Sequence, residues 1–168
     1  MKRILLLSDT HGHMDDRILH HAKSVDEIWH AGDIGDLNVT DDLARITTLR
    51  AVYGNIDGQE ARREFPLHNE FEIEGLKVWI THIGGYPGRY SFGIPELMEK
   101  KKPGLFITGH SHILKVQFDK KFGLLHMNPG AAGVHGFHKM RTMLKFEVAN
   151  GKVENLNVIE LGPRGSIR

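Results

Sequence analysis

Seven side chains with lone pairs to give stand just after the apolar runs of this 168-residue sequence. Asp9 and His11 follow "RILLLS", Asp33 follows "DEIWHAG", Asn55 follows "LRAVYG", His82 follows "VWIT", and His110 and His112 follow "LFITG". Two carboxylates, one amide and four imidazoles make a set rich in metal-ligand chemistry and poor in protein nucleophiles. Asp9 and His11, like His110 and His112, are two apart, which puts both side chains on one side of an extended segment. A carboxylate at the edge of a core is costly unless something pairs with it. Each residue alone reads more simply as a turn, a cap or an ordinary hydrogen-bonded histidine. Together they would face one another without a partner, and metal ions resolve that.

The donor set limits the metals. Carboxylate, amide and imidazole without thiolate suit manganese, iron, zinc, cobalt or nickel, not a structural zinc cage or a calcium site. Seven donors are too many for one such ion with an open position and suit two ions sharing Asp33. Two divalent cations carry more positive charge than Asp9 and Asp33 remove, so the site calls for a hydroxide and an anionic substrate.

The elements that must position these donors follow from pattern. Ile4 to Leu7 reads as a short buried strand, followed by a helix over Met14 to Val25 with Met14, Ile18, Ala22 and Val25 on one face. "DEIWHAGD" is a second strand, Thr40 with Asp41 and Asp42 opens a second helix, and "LRAVYGN" is a third strand. Such alternation predicts parallel crossover units, and ligands of α/β sheets gather beyond the carboxyl ends of their strands. If the parallel strands are neighbours, the donors converge. From Phe71 the rhythm changes: Phe71, Ile73, Leu76, Val78 and Ile80 alternate around Glu74 and Gly75 as a hairpin. Pro95 to Pro103 brackets a third helix, whose lysines Lys100 to Lys102 suit its last turn. "LFITGH" is another strand, and hairpins are expected around "DKKFG" and at Asn150 and Gly151. Thr142, Leu144, Phe146 and Val148 alternate as a half-buried strand, and "GPRGSIR" reads as a loose end.

Bulk composition leaves room for this chemistry. Hydrophobic residues at 40% and charged residues at 26% indicate a globular chain, and its length predicts one domain over residues 1–168. The formal charge of +1 implies no broad attraction to nucleic acid or to an anionic membrane. Cysteine is absent, which removes disulfides and thiolate sites and fits a reducing cytoplasm. The apolar patch of "MKRILLLSD" is too short for a signal-peptide core, and no run reaches membrane length.

The succession "SDTHG", "HAGDIGD", "YGNID", "THIGG", "GHSH" and "NPGAAG" resembles the calcineurin-like metallophosphoesterases, especially the small YfcE-like phosphodiesterases. The likeness runs from about Ile4 to Gly133. It implies an α/β fold, an α/β/β/α sandwich of two mixed sheets, with a dinuclear metal centre at the strand ends. By position, Asp9, His11 and His112 would hold one ion, Asn55, His82 and His110 the other, and Asp33 would bridge them. Manganese is the first choice of metal, with nickel, iron, zinc, cobalt or magnesium as others. The implied activity is hydrolysis of phosphodiesters or activated phosphate esters, with Asp33, Asn55 and His82 as catalytic residues. A bridging water that ionises near neutral pH would attack phosphorus in line.

One position departs from the pattern. Many family members carry histidine after the asparagine, where it can protonate a leaving oxygen; here stands Ile56, which cannot. Asp57 is expected to support a ligand without binding metal itself. His30 reads as structural or as support for a ligand, Asp36 as a loop residue, and Asn128 to Gly130 as a tight turn that the resemblance places near the site; His13, His135 and His138 could approach the substrate but read more simply as surface histidines. Two rival functions belong beside the enzyme. The retromer scaffold subunit shares the implied fold with part of the site lost, and a nuclease would share the chemistry. The intact donor set argues against the first, and the near-neutral charge against the second. The expected substrate is a small phosphodiester, without a membrane or tight nucleic-acid partner, in a chain that relatives suggest can form homo-oligomers.

Overall fold

The computed structural model describes residues 1–166, and Ile167 and Arg168 lie outside it. In chain order the first half runs β1 (Lys2–Leu7), α1 (Asp16–Ala22), β2 (Glu27–His30), α2 (Asn38–Ile46), β3 (Thr48–Ala51) and α3 (Gln59–Glu64). The second half runs β4 (His68–Ile73), β5 (Leu76–Thr81), β6 (Gly85–Tyr86), β7 (Arg89–Tyr90), α4 (Ile94–Lys101), β8 (Leu105–Ile107), β9 (Leu114–Asp119), β10 (Leu124–Pro129), β11 (Met140–Ala149) and β12 (Lys152–Pro163).

Two five-stranded sheets form, in the orders β12-β11-β1-β2-β3 and β4-β5-β8-β10-β9. In the first, β1, β2 and β3 are parallel and β11 and β12 antiparallel. In the second, β5, β8 and β10 are parallel, with β4 and β9 as antiparallel edges. The β1 sequence shows why the sheets stack. Ile4 and Leu6 point into the layer shared with Val78, Ile80, Leu105 and Ile107 of the second sheet. Leu5 and Leu7 point the other way, into a layer with Ile18 of α1 and Val39 and Leu43 of α2. A strand buried on both faces therefore reads as a continuous apolar run. Beyond the second sheet, α4 lays Ile94 and Met98 on Trp79 and Phe106. The result is the α/β/β/α sandwich of mixed sheets, with Ile4, Leu5, Leu6 and Leu7 all fully buried and each contributing about 1.5–3 kcal/mol by leaving water.

Several boundaries differ from the sequence pattern. α1 is shorter than Met14 to Val25: it starts at Asp16, where the Asp15 carboxylate caps it by accepting the Ile18 N–H, and it ends at Ala22. α2 begins at Asn38, ahead of Thr40, with no side-chain cap. β2 stops at His30 and β3 at Ala51, which leaves the last residues of both predicted strands in loops. β8 likewise ends at Ile107. The predicted loose end is ordered through Ser166: Gly162 and Pro163 belong to β12, and Arg164–Ser166 form a 3₁₀ turn. The hairpins at Glu74–Gly75, "DKKFG" and Asn150–Gly151 form as expected.

Candidate functional site

Each sheet has three parallel strands, and the loops after five of these, β1, β2, β3, β5 and β8, carry the predicted donors. The loops after β1 and β2 interlock through backbone bonds: Asp9 N–H donates to Gly32 O at 2.9 Å, and His11 N–H to Asp33 O at 3.0 Å. Asp9, His11, Asp33, His110 and His112 all adopt left-handed backbone conformations, with φ of 54°, 45°, 55°, 72° and 61°. Holding non-glycine residues there costs about 1–3 kcal/mol each, and such strain collects at functional sites.

The side chains converge. His112 Nε2 lies 3.2 Å from Asp9 Oδ1, and His11 Nε2 lies 4.0 Å from Asp9 Oδ1 and 3.4 Å from Asp33 Oδ2. His82 Nε2 lies 3.2 Å from Asp33 Oδ2 and 3.8 Å from Asp9 Oδ1. His110 Nδ1 and Asn55 Oδ1 are 3.0 Å apart. Two clusters of potential ligand atoms result, one from Asp9, His11 and His112 and one from Asp33, His82 and His110, each spanning no more than 4.8 Å.

Each carboxylate has one oxygen tied to protein donors and one turned to the cluster. Asp9 Oδ2 accepts from the Ser8 hydroxyl at 2.7 Å and from the His110 N–H at 3.1 Å. Asp33 Oδ1 accepts the Ile56 N–H at 3.1 Å, while Oδ2 faces His11 and His82. Asp9 Oδ1, His11 Nε2 and His82 Nε2 are buried with no hydrogen-bond partner. Orphaned buried polar atoms of this kind are rare and require an explanation. Carboxylate oxygens and imidazole nitrogens facing one another fit a divalent cation.

The electrostatics reflect the same crowding. Burial alone would push the Asp33 carboxyl up, but the His82 ring and the Ile56 N–H hold it below the usual range. Burial would lower His82, yet the Asp33 and Asp9 carboxylates raise it. At His11 burial prevails and lowers the ring.

The surrounding residues divide cleanly. Asp57 accepts three backbone N–H groups, from Ile34, Gly35 and Gly54. His30 accepts the Gly32 N–H on Nδ1, so Nε2–H donates to Thr10 Oγ1 at 3.0 Å, and burial pushes the ring down to about 4. Asn128 is the last-but-one residue of β10, so its segment is strand before it is turn. Its amide donates to Gly109 O and Ser111 Oγ, bracing the loop that bears His110 and His112. Asp36 takes the Asn38 N–H ahead of α2. His13 is paired with Asp15 at 2.9 Å. His135 and His138, for which the sequence favours a surface place over an approach to the substrate, line the cleft over the cluster, and His135 lies against the His11 ring at 4.6 Å. Their proximity depends on a loop after β10 whose path no local pattern in the sequence signals.

Comparison with known proteins addresses the family and the fold. The family model of the calcineurin-like phosphoesterase superfamily domain matches residues 1–151. A protein of Methanothermobacter thermautotrophicus named "Probable metallophosphoesterase" is 27% identical over 134 residues, 77% of this chain and 76% of the relative. Among solved structures, a novel archaeal phosphodiesterase superposes with a TM-score of 0.69 at 21% identity, covering 95% of this chain and 99% of that one. Vps29 of Entamoeba histolytica complexed with zinc superposes with a TM-score of 0.71 at 15% identity, covering 94% and 98%. These structures share the fold. The matched segment contains every donor from Asp9 to His112, and the chain belongs to the calcineurin-like phosphoesterase superfamily.

Proposed function

We propose that the chain, a single domain over residues 1–168, is a metal-dependent phosphoesterase hydrolysing phosphodiester or activated phosphate ester bonds with two divalent cations. Asp9, His11 and His112 would hold one cation and Asn55, His82 and His110 the other, with Asp33 serving both. The observation that carries this reading is the unpartnered inner face of the cluster: Asp9 Oδ1, His11 Nε2 and His82 Nε2 are buried without a hydrogen bond. Each such atom costs about 1–3 kcal/mol unless something binds it. The two candidate groups, one on Asp9 and one on Asp33, support the division. Manganese is the first choice of metal, with nickel, iron, zinc, cobalt or magnesium as others.

Divalent cations bound there would supply Lewis acidity toward a phosphoryl oxygen and a water acidified toward neutral pH. The chain's own residues orient the site. His82 donates Nδ1–H to Ala31 O at 2.7 Å, which leaves the Nε2 lone pair facing the cluster. Ser8 and the His110 N–H hold Asp9, and the Ile56 N–H holds Asp33. Asp33, Asn55 and His82 are the catalytic residues of this reading, and no side chain is assigned as nucleophile or general acid. The substrate is a small phosphodiester. A charge of +1 gives no support to strand binding or a membrane partner, and no helix among the described residues is long and apolar enough to cross a membrane. Cytoplasmic location and homo-oligomerisation are parts of the same proposal.

Metal analysis combined with an aryl phosphodiester assay tests it. Two ions per chain and turnover are expected in the native protein; Asp33→Ala should lose both ions and turnover, and His112→Ala the ion shared with Asp9 and His11 together with turnover. A folded native chain without metal or turnover would favour an interaction scaffold, and cleavage of single strands in preference to small diesters would favour a nuclease.

A further inference from the structure

Resting on the phosphodiester reading, we infer that the cleft selects esters bearing a planar aromatic substituent, with Phe137 as the platform on which that ring stacks. The cleft has a volume of about 500 Å³, within the usual range for small-molecule sites of about 300–1,000 Å³ and far larger than a phosphate group. Its floor is the polar cluster. Its rim is apolar: Ile56, Ile113 and Phe137 are 47%, 66% and 100% exposed and line the same opening. One exposed apolar side chain is ordinary, but three around a polar floor form a patch that a ligand can cover.

Phe137 is fully exposed, and the backbone on either side of it is anchored. The Gly133 N–H donates to Asp9 O at 3.2 Å, and His138 Nε2 donates to Gly133 O at 2.9 Å. Gly136 has a φ of +127° and passes so close to the site that a Cβ there would sit 2.3 Å from His112 Nδ1. Downstream, Arg164 donates Nε–H to His138 O at 2.8 Å and its backbone N–H to Lys139 O at 2.9 Å. The loop is thus pinned on both sides of the ring. An aromatic side chain on fixed backbone has only two torsions to restrict on binding, which suits a stacking surface.

Charge narrows the class further. Among the described residues no lysine or arginine lines this cleft, so a second phosphate would meet no permanently charged side chain, only the imidazoles of His135 and His138. The rim therefore favours an uncharged substituent, and the exposed ring of Phe137 favours a flat one. A nucleobase and a simple aryl group share that chemistry.

The test compares phenylphosphonate with methylphosphonate by calorimetric titration of the manganese-loaded protein, a readout independent of turnover. Native protein is expected to prefer the phenyl compound by about fivefold or more, the low end of stacking on an aromatic side chain. In Phe137→Ala the ratio should fall toward one, and Phe137→Tyr should retain it. Phe137 is fully exposed, so these variants should fold. A native ratio near one, or a ratio unchanged in Phe137→Ala, overturns the inference. Thymidine 5′-phosphate against ribose 5-phosphate then separates the sources: a matching preference assigns a nucleoside, and its absence assigns a bare aryl ester. A retained phenyl preference without hydrolysis of any ester would defeat the phosphodiesterase reading and leave the platform standing.

Discussion

Asp57 accepts the backbone N–H of Ile34 on Oδ2 at 3.1 Å, and the same carboxylate takes Gly35 at 2.9 Å and Gly54 at 2.7 Å. It ties the loop bearing Asp33 to the loop bearing Asn55 without facing the cluster. Asp57→Ala would leave three donors unpaired, each costing about 1–3 kcal/mol where buried. Manganese affinity should fall about 10–100-fold, the usual effect of losing a group that orients ligands, and the melting temperature should fall with it. Asp57→Asn, which keeps one acceptor oxygen, should lie between. Calorimetric titration reads the affinity, and an unchanged value in Asp57→Ala would show that the clamp does not set ligand geometry.

Gly54 offers a separate way to displace Asp33. A Cβ at Gly54 would stand 2.1 Å from Asp33 Oδ1 and 2.3 Å from the Asp33 backbone nitrogen, so Gly54→Ala must move the carboxylate or its strand end. Bound metal per chain should drop at least about tenfold, the loss seen when ligand orientation fails. Gly58, where a Cβ would meet nothing within 4 Å, is the matched control. Its change to alanine should stay within about 0.5 kcal/mol of native stability. Equal metal content in the two variants would mean that Asp33 tolerates displacement.

Most of the architecture was legible because the strands that matter are buried on both faces. Ile4 to Leu7 is a continuous apolar run too short for a helix of ordinary length, and the core of β8 is another. α3, "QEARRE", was missed because only Ala61 is buried and no apolar stripe exists to find. β6 and β7 are two residues each, too short for any periodicity. The donors were readable from their places at strand ends, and their convergence follows from β1-β2-β3 and β5-β8-β10 being parallel neighbours. Of the rim, the sequence offers only His135 and His138 as side chains that could reach the substrate. Phe137 lines the cleft beside Gly136, whose close approach to His112 is a tertiary contact that leaves no local trace. The role of Ile56 is likewise invisible in residue type, because it is the backbone N–H and not the side chain that holds Asp33.

Ile56 lines the cleft beside Asn55 and cannot protonate a departing oxygen. Turnover should therefore fall steadily as the leaving group becomes less acidic across a series of aryl phosphodiesters. Ile56→His places a proton donor at that position, and general acid catalysis contributes about 10²–10⁴-fold where geometry is right. Slow esters should gain relative to fast ones in that variant, with a shallower dependence on leaving-group acidity. A rate in the native protein that ignores the leaving group would show that protonation comes from elsewhere.

Acid should destabilise the fold through histidines far from the cluster as well as near it. His126 on β10 is fully buried, and neither ring nitrogen meets a partner in good hydrogen-bond geometry. Burial pushes it down to about 4; the Phe106 backbone opposes this, Lys115 adds to it, and Asp119 offsets part. Its unfolded value is higher, near 6.5, so between those limits the unfolded chain binds the proton and stability falls as pH falls. Above about pH 6.5 the stability is fully present, and by pH 4 the loss is roughly 3 kcal/mol. His30 adds a similar slope, since burial takes it to about 4 too. His126→Leu removes one slope and two unsatisfied nitrogens, so it should be neutral or stabilising at pH 7 and increasingly stabilising relative to the native protein toward pH 4.5. Urea unfolding at the two pH values measures this. The carboxylates common to both proteins cancel in that difference, so a gap that stays constant would mean the buried ring takes up no proton on unfolding.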